Sequence, residues 1–274
     1  MNNFFTVCKF DKSRYLIQSY KSIKKFYNNI KYSVIIPDYE IDKFEELLLK
    51  NNVSDINLIK ESKYLSLSKF KNIYKNLLNN LNLSSEKGSD ILPWYFQQVL
   101  KLSFCLDKNI DGNIIMIDAD TILLKKIILF DNKKSIVFIS SYERNIFYKW
   151  LCEDIFKEKY TNWSSSTVQM FVMTTAERKS LENKFNQYLA IPNKQLFGEW
   201  IAKIILQSVL LRFKSLDGSF ISEQDLIAAS NIKNGSKKFK KLRFLRSGVI
   251  GEFNKFHMKM ASKLDFYYLT YEKW

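Results

Sequence analysis

The stretch that decides the fold is residues 113–126, NIIMIDADTILLKK. Ile114-Ile115-Met116-Ile117 is a short apolar run rich in β-branched side chains, the pattern of a buried strand. The run stops at Asp118-Ala119-Asp120, and a second apolar run, Ile122-Leu123-Leu124, follows at once. Two carboxylates at the end of a buried strand are costly to desolvate unless something pairs with them. Extended backbone puts residues two apart on one face, and a turn would aim both carboxylates at one cation. Mg²⁺ and Mn²⁺ take oxygen ligands, and Mg²⁺ is commonly held by one or two carboxylates plus substrate phosphates. The plain alternative is that Asp118 caps a turn and Asp120 faces water. The apolar runs on both sides favour a metal–diphosphate site at a strand end.

Upstream lies Leu92-Pro93-Trp94-Tyr95-Phe96-Gln97-Gln98-Val99-Leu100-Lys101-Leu102. Pro93 suits a first helical turn. Tyr95, Val99, Leu102 and Leu106 form the apolar stripe of a core-facing helix. Gln98 and Lys101 are three apart and share a patch of that helix's surface. Lys101 would serve a diphosphate or one of the aspartates, or else be a solvated helix lysine. Nearer the N-terminus, 4–8, 32–36 and 56–59 read as strands and 15–26 and 41–49 as helices. This alternation predicts an α/β fold, a mostly parallel Rossmann-like sheet flanked by helices. Ligands of such sheets bind beyond the carboxyl ends of the strands. Thr6, Lys9, Asp11 and Arg14, at and after the end of the first strand, are therefore candidate nucleotide contacts. Each taken singly is equally an ordinary turn or cap residue. Residues 64–83 are polar and Asn-rich with a weak helical signal, and 84–90 read as a loop.

Downstream, 135–139 reads as a strand, 144–156 as a helix, 164–167 as a polar loop, 168–174 as a strand and 177–191 as a helix. Gln169 interrupts its strand's apolar run, either as an amide facing a site or as a ladder residue on a wet face. In 195–213, Glu199 stands between Phe197 and Trp200. A semi-buried carboxylate there suits a base, and the alternative is a helix N-terminal acid favoured by the dipole. Ser222 and Asp225 have capping-box spacing for a helix ending at 230. Residues 233–246 carry seven basic residues and no acidic one, interleaved with Phe239, Leu242, Phe244 and Leu245. That fits an anionic lipid surface or an acidic acceptor, or a solvated basic face. His257 is the one histidine. It is a candidate third metal ligand with Lys259 as a phosphate contact, though a lone histidine is more often structural.

The 274 residues are 46% hydrophobic and 26% charged, which supplies a core and excludes a disordered chain. The net charge of +15 points to an anionic partner. Nucleic acid is disfavoured, because the basic residues form no recognisable binding motif. Cys8, Cys105 and Cys152 are odd in number and lack metal-ligand spacing, as structural thiols in a reducing compartment would. No basic start leads into a long apolar stretch, and no run is long enough to span a bilayer. The expectation is a cytoplasmic protein, with room for a peripheral contact on the inner face of a membrane. With seven glycines and no Gly-rich loop, a phosphate would be held through metal and lysine.

Trp94-Tyr95-Phe96-Gln97-Gln98-x-x-Lys101 together with Ile117-Asp118-Ala119-Asp120-Thr121 resembles GT-A glycosyltransferases. The resemblance is to bacterial capsule and lipopolysaccharide transferase-like proteins of the W-Y-x-Q-Q-x-x-K and D-x-D-T type, and more distantly to the glycogenin and lipopolysaccharide galactosyltransferase group. It covers 94–126, and the first hundred residues agree in layout. It implies a GT-A domain over 1–214, with a helical, basic extension over 215–274 packed on it. It implies a nucleotide-sugar donor, a glycan or glycolipid acceptor (lipopolysaccharide, lipooligosaccharide or capsule), and Mn²⁺ or Mg²⁺ on Asp118 and Asp120. Donor contacts would come from Thr6, Lys9, Asp11, Arg14, Gln98, Lys101 and Asp118. In the related proteins a Ser-Glu-Tyr segment follows the central strands, and Phe197-Gly198-Glu199-Trp200 stands in that place with Gly for Ser. If the reaction inverts, Glu199 is a candidate base; if it retains, Glu199 or Gln169 would position the sugar. The glycogenin-type His-x-x-Gly-x-Lys motif is matched only by His257 with Met258-Lys259, without the Gly. The rival readings are a noncatalytic anionic-glycan or nucleic-acid binder on the same scaffold, and a metal-dependent phosphotransferase. The latter lacks a phosphate loop and a second acidic cluster.

Overall fold

The computed structural model describes residues 2–84, 90–131, 134–139, 145–160, 169–191, 197–230, 237–241, 244–246 and 255–270. The first half runs β1 (Asn2–Val7), α1 (Leu16–Phe26), β2 (Ile30–Ile36), α2 (Ile41–Lys50), β3 (Ile56–Lys60), α3 (Leu67–Asn80), α4 (Leu92–Leu106), β4 (Asn113–Ile117) and β5 (Thr121–Leu123). Then come β6 (Phe130–Asp131), β7 (Lys134–Ile139), α5 (Ile146–Phe156), β8 (Met170–Met173), α6 (Thr175–Tyr188), α7 (Phe197–Phe213), α8 (Glu223–Ser230), β9 (Lys237–Lys241), β10 (Phe244–Arg246), α9 (Lys255–Lys263) and β11 (Tyr268–Thr270).

The architecture is the α/β one expected, a mostly parallel central sheet flanked by helices. Its five strands run in the order β3-β2-β1-β4-β8. The first four are parallel, and β8 closes the edge antiparallel to β4, with Ile117 opposite Met170. Strand alternation sends Phe5, Ile114, Met116 and Phe171 to one face, where α3, α4, α7 and α8 cover them. Phe4, Val34, Ile115, Ile117 and Val172 point to the other face, against α1 and α2. With apolar neighbours above and below, β4 has no polar side to show, which is why its sequence reads as one unbroken apolar run.

α7 is buried nearly all round, from Trp200 through Leu210, so it carries no amphipathic stripe. Gly198 lets it pack closely. A Cβ built there would lie 2.3 Å from the Tyr64 carbonyl oxygen. Gly at 198 is thus set by a backbone contact. α3 forms despite its weak periodicity, because Ser66 caps it by accepting from the Lys69 N–H and Phe70, Tyr74 and Leu78 bury one face. α6 starts two residues earlier than its periodicity suggests, at Thr175. There Thr174 and Glu177 make a reciprocal capping box.

Two small sheets complete the fold. In one, β11 lies between β10 and β5 and runs antiparallel to β5, with Thr270 opposite Thr121. In the other, β9 pairs in parallel with β7. The described residues of 215–274 contribute two helices, as expected of a helical segment, and also three strands. The loop expected at 164–167, most of that at 84–90, and residues 233–236 and 242–243 of the basic stretch lie outside the described residues. Cys8, Cys105 and Cys152 are free and buried. Among the described residues no helix is long and apolar enough to cross a membrane.

Candidate functional site

The strand order fixes where a ligand belongs. The chain leaves β1 toward β2 and β3, then returns to place β4 on β1's other side. The crevice at such a reversal opens beyond the carboxyl ends of the two central strands. Here those ends are Thr6, Cys8 and Lys9 after β1, and Asp118-Ala119-Asp120 after β4. The Asp-x-Asp segment is a turn. The Asp118 N–H donates to the Gln169 carbonyl at 2.9 Å, and the Thr121 N–H donates to the Asp118 carbonyl at 3.0 Å. Asp118 and Gln169, both expected at the site, thus meet through backbone. Gln169 is buried and holds a left-handed φ of 53°.

The polar centre is a buried lysine. Lys101, on α4 and 5% exposed, places its Nζ 2.8 Å from Asp118 Oδ1 and 2.9 Å from Glu223 Oε1. Burial alone would lower the ammonium's pKa, but the two carboxylates outweigh it and hold Lys101 above its ordinary value. The cluster draws on α4, the β4 exit and the first turn of α8, so three elements far apart in sequence must all be in place. Asp118 keeps about a third of its side chain in solvent (30%), while Glu223 is enclosed (6%). One aspartate thus faces the crevice with its near oxygen already held.

The β1 side of the crevice is acidic. Burial raises the pKa of the Cys8 thiol, and the negative charges of Asp120, Asp11 and Glu40 raise it further, which disfavours the thiolate. Glu40 accepts from the Phe10 N–H at 2.8 Å. Beyond β3, Glu61 is pushed up to about 7 by burial and by its neighbour Asp38, against the pull of Lys9. Two further buried atoms are notable. Thr6 Oγ1 and Gln98 Oε1 have no hydrogen-bond partner among the described residues. Buried acceptors left without a donor are unusual in a folded chain.

The remaining expected residues have the following surroundings. Arg14 stacks its guanidinium over the Tyr15 ring at 5.5 Å. Glu199 sits in the first turn of α7 and forms an ion pair with Lys69 of α3 at 3.4 Å. His257 lies on α9, beside Phe256, and Lys259 is exposed. Among the described residues no three His, Cys, Asp or Glu side chains gather where they could hold a metal ion. α9, which carries His257, packs through Met258 and Ala261 on Ile122 and Leu269. Two carboxylates at a turn still fit a hard divalent cation that completes its shell from phosphate and water, rather than an all-protein cage. Sequence reasoning missed Glu223. Its spacing reads as a helix start, and the Asp225 N–H does donate to Ser222 Oγ at 3.1 Å. No local signal in the sequence marks it: all eight residues of α8 are buried by elements distant in the chain.

Comparison with known proteins gives the following. No curated protein matches the chain. Among solved structures, an active-site mutant of LgtC aligns with TM-score 0.48 and 13% identity, over 98% of this chain and 86% of that one. Mouse xyloside xylosyltransferase 1 aligns with TM-score 0.47 and 8% identity, over 99% and 98%. Galactosyltransferase LgtC in complex with donor and acceptor sugar analogues aligns with TM-score 0.45 and 11% identity, over 98% and 86%. A family model matches residues 11–205, which span β2 through β8 and so include Lys101 and the Asp118–Asp120 turn, and by it the chain belongs to the family described as a family of unknown function, DUF6492.

Proposed function

We propose that this chain is a metal-dependent glycosyltransferase of GT-A type that moves a sugar from a nucleotide-sugar to a cell-surface glycan acceptor. The observation that carries the reading is the buried Lys101 held between Asp118 and Glu223, at the point where the strand order reverses. The sequence resemblance over 94–126 accompanies it. Mn²⁺ or Mg²⁺ would be held by Asp120 and by Asp118, directly or through water. When bound, such a cation supplies Lewis-acid stabilisation of a departing nucleoside diphosphate.

The chain's own residues do the rest. Lys101 fixes the orientation of Asp118 and offsets part of the negative charge of Asp118 and Glu223. Thr6, Lys9, Asp11, Arg14 and Gln98 are the proposed donor contacts, and Gln98 and Thr6 offer buried acceptors to it. Gln169, joined to Asp118 through backbone, would position the sugar. Glu199 keeps the role of base or of positioning residue according to whether the reaction inverts or retains. The basic stretch 233–246 would meet the anionic part of a lipid-linked acceptor.

The test is a thermal-shift panel of nucleotide-sugars and nucleoside diphosphates, with and without Mn²⁺, on wild type and Asp120→Ala. A ligand of the folded state raises Tm by mass action, by about 2.7 kcal/mol of stabilisation at a hundredfold excess over Kd. A Mn²⁺-dependent rise with one nucleotide, absent in Asp120→Ala, is the expected result. Silence across the whole panel would overturn the reading.

A further inference from the structure

α9 carries two rows of side chains on its outward side. Phe256, Met260 and Leu264, the last just past the helix end, recur at four-residue spacing and are 66%, 40% and 56% exposed. Lys259 and Lys263 are exposed beside them, and Lys255 continues the lysine spacing in sequence. Residues i and i+4 share a helix face, so these are two adjacent stripes, one apolar and one cationic. The inward side is accounted for by Met258 and Ala261, packed on Ile122 and Leu269. Residues 255–264 contain no acidic side chain, and the first one after them, Asp265, is paired with Lys125.

Three large apolar side chains in a row in water call for a partner. The charge beside them selects its chemistry. A second copy of this chain would bring another lysine row to the contact and no acidic row to meet the first. A bilayer with anionic headgroups meets both stripes: the apolar row enters the boundary between headgroups and acyl chains, while lysine stems reach up to the phosphates. The chain's net charge of +15 adds long-range attraction to such a surface.

We propose that α9 docks this protein on an anionic lipid surface through Phe256, Met260 and Leu264, with Lys259 and Lys263 as the headgroup contacts. The inference does not depend on the transfer reaction, and it uses a surface different from the basic stretch 233–246.

The experiment is co-sedimentation of the full chain with vesicles of phosphatidylcholine alone and of phosphatidylcholine mixed with phosphatidylglycerol. Wild type binds the mixed vesicles and not the neutral ones. Phe256→Ser/Met260→Ser/Leu264→Ser and Lys259→Glu/Lys263→Glu each bind roughly tenfold or more weakly, the lysine change by the loss of headgroup attraction. Both keep the wild-type Tm, because every altered side chain is exposed. A variant with Lys237, Lys238, Lys240 and Lys241 replaced by Ser separates the two basic surfaces. If it alone abolishes binding while both α9 variants bind normally, the proposal is overturned. It is overturned equally if wild type ignores the mixed vesicles, or if wild type sediments as a dimer that the apolar-row variant splits.

Discussion

Replacing Lys101 by Met would leave the Asp118 and Glu223 carboxylates close together with no cation between them. Removing one member of a buried ionic cluster costs about 3–5 kcal/mol, and here the lower end applies because Asp118 is partly solvated. Urea unfolding of Lys101→Met should show that loss. Adding Glu223→Gln should recover part of it, a non-additivity of about 0.5–3 kcal/mol. Glu61 gives a pH signature of opposite sign to the usual surface carboxylate. Its folded pKa is raised from 4.5 to about 7, so the folded chain binds the extra proton. The stability tied to that proton is present below pH 4.5 and is lost as pH rises through about 7. Glu61→Gln should therefore melt at a higher temperature than wild type at about pH 8, with the gap closing near pH 4.5. A constant gap would refute this. The contrast between Lys101 and Glu223 shows what can be read from residues alone. Lys101 and Asp118 stand out because a motif and a strand end frame them. Glu223 is hidden because its importance comes from burial, and its capping position gives a sufficient local explanation.

At the scale of elements, close approach and capping make checkable demands. Gly198→Ala places a methyl where the Tyr64 carbonyl stands, so α7 must back away from the turn before α3. Overpacking of that kind costs about 1–3 kcal/mol, measurable by denaturation, and Gly198→Ser should do no better. Thr174→Ala removes one half of the α6 capping box and should cost about 1 kcal/mol. The strands and helices from β1 to β3 were legible because each has its own period and a turn after it. β4 was legible as an apolar run. α8 shows the limit: its polar first turn is enclosed by elements distant in sequence, and no local pattern records that. α9 was hard for a different reason. Its single histidine is read as a candidate metal ligand, and the four-residue spacing of Phe256, Met260 and Leu264 is the helical signal it also carries.

At the scale of the molecule, the C-terminal segment is part of the site's frame. Glu223 closes on Lys101, and β11 inserts between β10 and β5. A chain ending at 214 would lack both, together with the buried α8. We expect it to give no cooperative thermal transition, whereas an independent 1–214 domain would melt sharply. The register of β5 on β11 also has a bearing on synthesis. β5 begins one residue after Asp120 and is gripped by 268–270. While the chain is still being made, β1 to β4 can assemble, yet β5, directly after the turn bearing both aspartates, lacks its β11 partner until residues 268–270 have been added. Pairing over so long a separation is slow to form. A chain interrupted before residue 268 would thus carry a built central sheet and an Asp118–Asp120 turn without its β5–β11 support.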